Sequence, residues 1–84
     1  MSQLPALTGR QLVRLLELDG WTQDPRQRSR HGMVLRKTIE GRTRVAIIPD
    51  KRLVTDTLSR ILSVKQTGIG RERLAELIEE HGLR

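Results

Sequence analysis

No cysteine occurs among the 84 residues, which excludes a disulfide framework and any cysteine-held zinc site. That lack fits a reducing compartment. Aromatic side chains are almost as scarce, because Trp21 is the only one. Following directly on Gly20, it reads as a core or edge anchor at the start of a strand rather than as a platform for stacked bases. No window reaches the ~18 uninterrupted apolar residues of a membrane span, and residues 1–8 lack the apolar run of a signal peptide. The expectation is a soluble, cytoplasmic chain. Repeats, low-complexity stretches and linkers are also missing, so residues 1–84 are expected to form one domain. A chain of this length hides only ~60–65% of its unfolded surface on folding, which leaves a modest core and marginal stability.

Positive charge is plentiful. Sixteen Lys and Arg stand against ten Asp and Glu, a formal charge of +6, and only Lys37, Lys51 and Lys65 are lysines. The arginine bias matters because guanidinium is a planar fork that matches phosphate through two hydrogen bonds. From Arg26 to Arg44 lie Arg26, Arg28, Arg30, Arg36, Lys37, Arg42 and Arg44, with Glu40 as the single acid. The acids gather near the end instead, at Glu72, Glu76, Glu79 and Glu80. A basic region set against an acidic terminal segment points to nucleic acid more sharply than net charge does.

Leu7-Thr8-Gly9-Arg10-Gln11-Leu12 reads as a helix start. Thr8 is the N-cap, Gln11 completes a capping box, and Leu7 and Leu12 are spaced as a hydrophobic staple. Leu12, Leu15 and Leu16 continue at helical spacing to Gly20. Residues 22–30 are expected to hold a strand interrupted near Pro25. Strands are expected over Met33–Ile39 and Arg42–Ile48, joined at a Glu40-Gly41 turn where glycine supplies positive φ. The second reads as a central strand partly covered by helices. Pro49 ends the sheet, and residues 50–54 are expected to cross to the next element. Thr55 or Asp56 then caps a helix carrying Leu58, Ile61 and Leu62, which Gly68 breaks. A last helix from about Gly70 to Glu80 is apolar at Leu74, Leu77 and Ile78 and is closed by Gly82. The expected fold is α+β, in the order α-β-β-β-α with a short extra C-terminal helix. Helices lie on one face of a three-stranded antiparallel sheet, and the other face is free to meet a ligand.

The chain has two histidines. His81 sits in the last helical turn, where a cation suits the helix dipole, and reads as structural or as without a role. His31 stands where the arginine-rich stretch meets a strand, in Gln27-Arg28-Ser29-Arg30-His31-Gly32-Met33. Histidine is the side chain best suited to move protons near neutral pH, and these arginines would hold a phosphodiester beside it. The residues alone also allow a surface histidine that only hydrogen-bonds a phosphate.

Several short patterns follow one another in order along nearly the whole chain. They are Gly20-Trp21, Ser29-Arg30-His31, Ile48-Pro49, Thr57-Leu58-Ser59-Arg60-Ile61-Leu62 and Gly68-Ile69. Together they resemble the HicA family, the toxins of a type II toxin–antitoxin system. That resemblance implies a fold like the double-stranded-RNA-binding domain. It implies an endoribonuclease that cleaves mRNA without a metal, an essential histidine at the position of His31, and a HicB-like antitoxin partner. Four features depart from the family's habit. Arg30 precedes the histidine where a small residue is usual, and Asp50 and Lys51 follow Pro49 where a second histidine often stands. Asp56 replaces the glycine of a Gly-Thr-Leu, and Ser63-Val64 lengthen the segment before Lys65-Gln66.

RNA carries its own nucleophile, the 2′-hydroxyl, so its cleavage needs proton transfer and cations around the phosphorane rather than a metal. His31 is the expected catalytic residue. Arg28, Ser29, Arg30, Arg36, Lys37 and Arg44 are the expected RNA-binding residues. No second proton-transfer residue is evident: Asp24 and Glu40 are the nearby acids, nothing in the sequence places either of them, and that role stays open. No spacing of His, Asp and Glu resembles a metal site, and no glycine-rich loop suggests a nucleotide cofactor. Two other readings use the same residues: a non-catalytic RNA-binding module, and an interaction domain whose basic face docks an acidic protein.

Overall fold

The computed structural model describes residues 6–29 and 32–83, with the backbone alone over 25–29. The first helix starts as its sequence demands. Backbone N–H of Gln11 donates to Thr8 Oγ1 at 3.2 Å, and Thr8 N–H donates to Gln11 Oε1 at 2.8 Å, a complete capping box. This helix, α1, spans Gly9–Leu18 and buries Leu12, Val13, Leu15 and Leu16. Gly20, at φ 98°, turns the chain so that Trp21 N–H reaches back to Leu16 O at 2.9 Å. The Trp21 side chain is buried in the core, the anchor expected of it.

Leu7–Thr8 forms a minimal strand, β1, and Thr22–Ser29, Gly32–Ile39, Arg42–Ile48 and Arg52–Leu53 are β2 to β5. The main sheet is antiparallel in the order β2-β3-β4. Glu40 and Gly41 make the β3–β4 turn with φ of 50° and 77°, the doubly positive geometry of a tight hairpin. The β2–β3 ladder shifts register between Gln23 and Arg28. Pro25 lies in that gap and has no N–H to give to a ladder.

Residues directly opposite in an antiparallel pair share a face of the sheet. The register therefore puts Met33, Leu35, Lys37, Arg44, Ala46 and Ile48 on one face, and Val34, Arg36, Thr38, Thr43, Val45 and Ile47 on the other. Leu35, Ala46 and Ile48 join Leu12, Leu16, Ile61, Leu74 and Leu77 in one core, so the helices pack on that face, while Val34 on the opposite face is buried outside this cluster. One expectation fails here. The middle strand is β3, and β4 lies at the edge of the sheet. Val45 and Ile47 point to the uncovered side and are 41% and 37% exposed. Their apolar character resembles that of a central strand without the cover of one.

The crossing after Pro49 is also more ordered than expected, because β5 pairs with β1 through Leu7↔Leu53 and Thr8↔Arg52. Helix α2 spans Thr55–Leu62 with Val54, not Thr55 or Asp56, at its N-cap, and no side chain caps it. Asp56 serves instead in the first turn, where a negative charge suits the helix dipole. The helix stops six residues short of Gly68. Ser63 Oγ donates to Arg60 O at 2.6 Å, and buried Thr67 donates to Ile61 O from both Oγ1 (2.6 Å) and N (3.0 Å). Such local bonds offer the backbone an alternative to another helical turn. Helix α3 spans Gly70–His81 and closes at Gly82, φ 74°, whose N–H meets Ile78 O at 2.7 Å. Among the described residues, no helix is long and apolar enough to cross a membrane.

Candidate nucleic-acid interface

Three backbones converge where β3 begins. A Cβ on Gly32 would overlap the carbonyl oxygen of Ile48 and lie 2.8 Å from Pro49 Cα. A Cβ on Gly9 would overlap the carbonyl oxygen of Pro49. Gly9 N–H also donates to Lys51 O at 2.8 Å. The first turn of α1, the start of β3 and the end of β4 thus meet at two positions where only glycine fits. Arg30 and His31, expected to bind RNA and to catalyse, lie outside the described residues. For Arg28 and Ser29 the backbone alone is described, in β2 opposite Met33 and Gly32.

The expected basic face does not form as one surface, because pleating divides it. Arg36 lies on the uncovered face, 3.5 Å from Asp24 Oδ2. Lys37 and Arg44 lie on the helix side. Lys37 Nζ donates to Asp19 O at 2.6 Å and stands 3.8 Å from the Asp19 carboxylate. Arg44 Nη1 donates to Val64 O at 2.8 Å, which ties β4 to the segment after α2. Both cations therefore join elements. The uncovered face around Arg36 is otherwise hydroxyl and aliphatic, with Thr38, Thr43, Val45 and Ile47 exposed. Glu40, one of the two acids weighed for proton transfer, sits in the turn at the opposite end of β3 from Gly32, roughly 25 Å along the strand. Asp24, the other, is the partner of Arg36.

Sequence reasoning passed over a second basic pair. Arg10 and Arg14, one helical turn apart, rim an open groove of about 670 Å³ beside the start of β3. Val13 and Met33 line it with apolar surface, Gln11 and Gln23 with amides, and Asp50 stands across from α1. Arg10 grips Asp50 with both arms, Nε–Oδ1 at 3.0 Å and Nη2–Oδ2 at 3.2 Å. That hydrogen bonding, and then the carboxylate's charge, raises the Arg10 pKa above its ordinary value. Arg14 is exposed and, among the described residues, has no ion-pair or hydrogen-bond partner. Lys51 and Arg52, both exposed, follow Asp50 on the same corner. The signal was present in the i, i+4 spacing of Arg10 and Arg14. Which side of α1 faces β3 depends on packing that no local pattern specifies.

His81 stands 3.6 Å from Glu80 in the last turn of α3, on the surface. Among the described residues no group of His, Asp and Glu gathers that could hold a metal ion. Comparison with protein-family models, curated proteins and solved structures finds no match to this chain.

Proposed function

We propose that this chain is an mRNA-cleaving endoribonuclease of the HicA type, the toxin of a toxin–antitoxin pair, held inactive by a HicB-like antitoxin. The observation that carries the reading is the seat of Gly32. At φ 142° and in contact with Ile48 and Pro49, it fixes the residue that directly follows His31. The order of helix, three antiparallel strands and helices, read together with the motif series through the chain, supports the same assignment.

In this reading His31 moves a proton as the RNA 2′-hydroxyl oxygen attacks the adjacent phosphorus. The P–O5′ bond breaks, leaving a 2′,3′-cyclic phosphate and a 5′-hydroxyl. Arg28, Arg30 and Arg36 supply positive charge to the phosphorane oxygens, and the Ser29 hydroxyl donates a further hydrogen bond. The test is induction of wild type and of His31→Ala in cells, with total-mRNA integrity as the readout. Wild type is expected to degrade mRNA and arrest growth, and co-expressed antitoxin to relieve both. Loss of a general acid–base group costs ~10²–10⁴ in rate, so His31→Ala is expected to be inert. Purified protein is expected to cut in EDTA and to fail at a 2′-deoxy position. Equal cutting by His31→Ala refutes the role of His31. Binding without any cutting by wild type leaves a non-catalytic RNA-binding module.

A further inference from the structure

The groove along α1 has the composition of a nucleotide site rather than of a plain charged surface. Its apolar surface comes chiefly from the half-buried Met33, since Val13 beneath it is buried, and the thioether offers a soft surface on which a base can lie. Gln11 accepts from Thr8 N–H through its amide oxygen, among the described residues its NH₂ group has no acceptor, and Gln23 is exposed. Amides that both donate and accept are what reading the edge of an unstacked base requires. Arg10 and Arg14 stand one turn apart, about 5–6 Å between their Cβ atoms, so both forks reach one stretch of backbone. Glu17 lines the groove beyond Arg14, and its negative charge confines a phosphate to the Arg10–Arg14 stretch. A volume of about 670 Å³ lies within the range of about 300–1000 Å³ typical of small-ligand pockets, enough for one nucleotide and far short of a duplex.

We propose that this groove seats one unpaired nucleotide of the RNA, with Arg14 and Arg10 on its phosphates and Asp50 competing with the RNA for Arg10. The inference rests on the ribonuclease reading and adds to it a strand-specific subsite and a built-in competitor. Among the described residues nothing holds Arg14, whereas Arg10 must exchange the Asp50 carboxylate for a phosphate. Asp50 therefore weakens RNA binding, and the two arginines are not equivalent.

The test measures affinity for a short single-stranded 2′-O-methyl RNA, which cannot be cleaved, across a series of salt concentrations. Arg14→Ala is expected to weaken binding about tenfold at low salt, as for one charge-assisted contact. The log–log salt slope should become shallower by about 0.7, the share of one phosphate on a single strand. Asp50→Asn is expected to tighten binding. Arg10→Ala is expected to cost little in the wild type, and as much as Arg14→Ala once Asp50 is Asn. Arg71→Ala, an exposed residue of α3 outside the groove lining, removes the same charge and serves as the control. If Arg14→Ala and Arg71→Ala weaken binding equally, or if Asp50→Asn does not tighten it, the groove is not the subsite and the ribonuclease reading survives. If wild type does not bind RNA, both fall.

Discussion

At the scale of single residues, the chain spends glycine where side chains have no room. Gly32 and Gly41 both have positive φ, but they differ in what surrounds them. A Cβ at Gly41 meets nothing within 4 Å, whereas one at Gly32 runs into the backbone of Ile48 and Pro49. Gly41→Ala is therefore expected to cost about 1 kcal/mol, the backbone strain alone. Gly32→Ala adds a clash that only movement of β4 can relieve, and is expected to cost about 3 kcal/mol or more. Urea titration of the two variants checks the ranking, and equal midpoints would show that β4 yields freely at Pro49. The same junction bears on the proposed chemistry, since residue 31 precedes Gly32 directly. A variant that folds with Gly32 replaced should lose RNA cleavage before it loses RNA binding.

At the scale of elements, what was legible in the sequence was local. The capping box at Thr8 and Gln11, the Glu40-Gly41 turn, the interruption at Pro25 and the apolar stripe of α3 each depend on a few adjacent residues, and each formed as read. The β1–β5 pairing and the early end of α2 were not legible. Both depend on contacts between distant segments, or on the choice Ser63 and Thr67 make between helix and local hydrogen bonds. The candidate interface was half legible. Counting by twos from Leu35 and Ala46 assigns Lys37 and Arg44 to the core face, but a density of charge along the chain does not show on which side of a sheet each cation lies. Their hydrogen bonds make a prediction at this scale. Lys37→Met and Arg44→Met are each expected to cost about 1–2 kcal/mol, since each leaves carbonyl groups that lose a charged donor. For a domain of this size that is a fall in Tm of about 4–8 °C for each kcal/mol. RNA affinity is expected to drop no more than in Arg71→Ala. A stable Arg44→Met protein with selectively lost RNA binding would return Arg44 to the interface.

At the scale of the whole molecule, one core serves every helix and both sheets among the described residues. Leu7 and Leu53 from the small sheet, Leu35 and Ile48 from the large one, and Leu12, Ile61 and Leu77 from the three helices belong to a single cluster. The radius of gyration, 12.0 Å, matches the value of about 12 Å for a compact chain of this length. Removing one core side chain therefore weakens everything at once, including the convergence of α1, β3 and β4. Leu77→Ala is expected to cost about 2–5 kcal/mol out of a total of about 5–15 kcal/mol. With a total at the low end of that range, a deficit of this size at 37 °C leaves a substantial unfolded fraction, which proteases remove, so the proposed toxicity is expected to be lost without any change in chemistry. Cooling restores the folded fraction of such a variant but cannot restore a missing proton-transfer group. Growth arrest by Leu77→Ala is thus expected to be absent at 37 °C and to return near 20 °C, while His31→Ala stays harmless at both temperatures. Protein abundance, measured alongside, should rise on cooling for Leu77→Ala and match wild type at both temperatures for His31→Ala. Toxicity that returns to His31→Ala on cooling would mean that His31 supports the fold rather than the reaction.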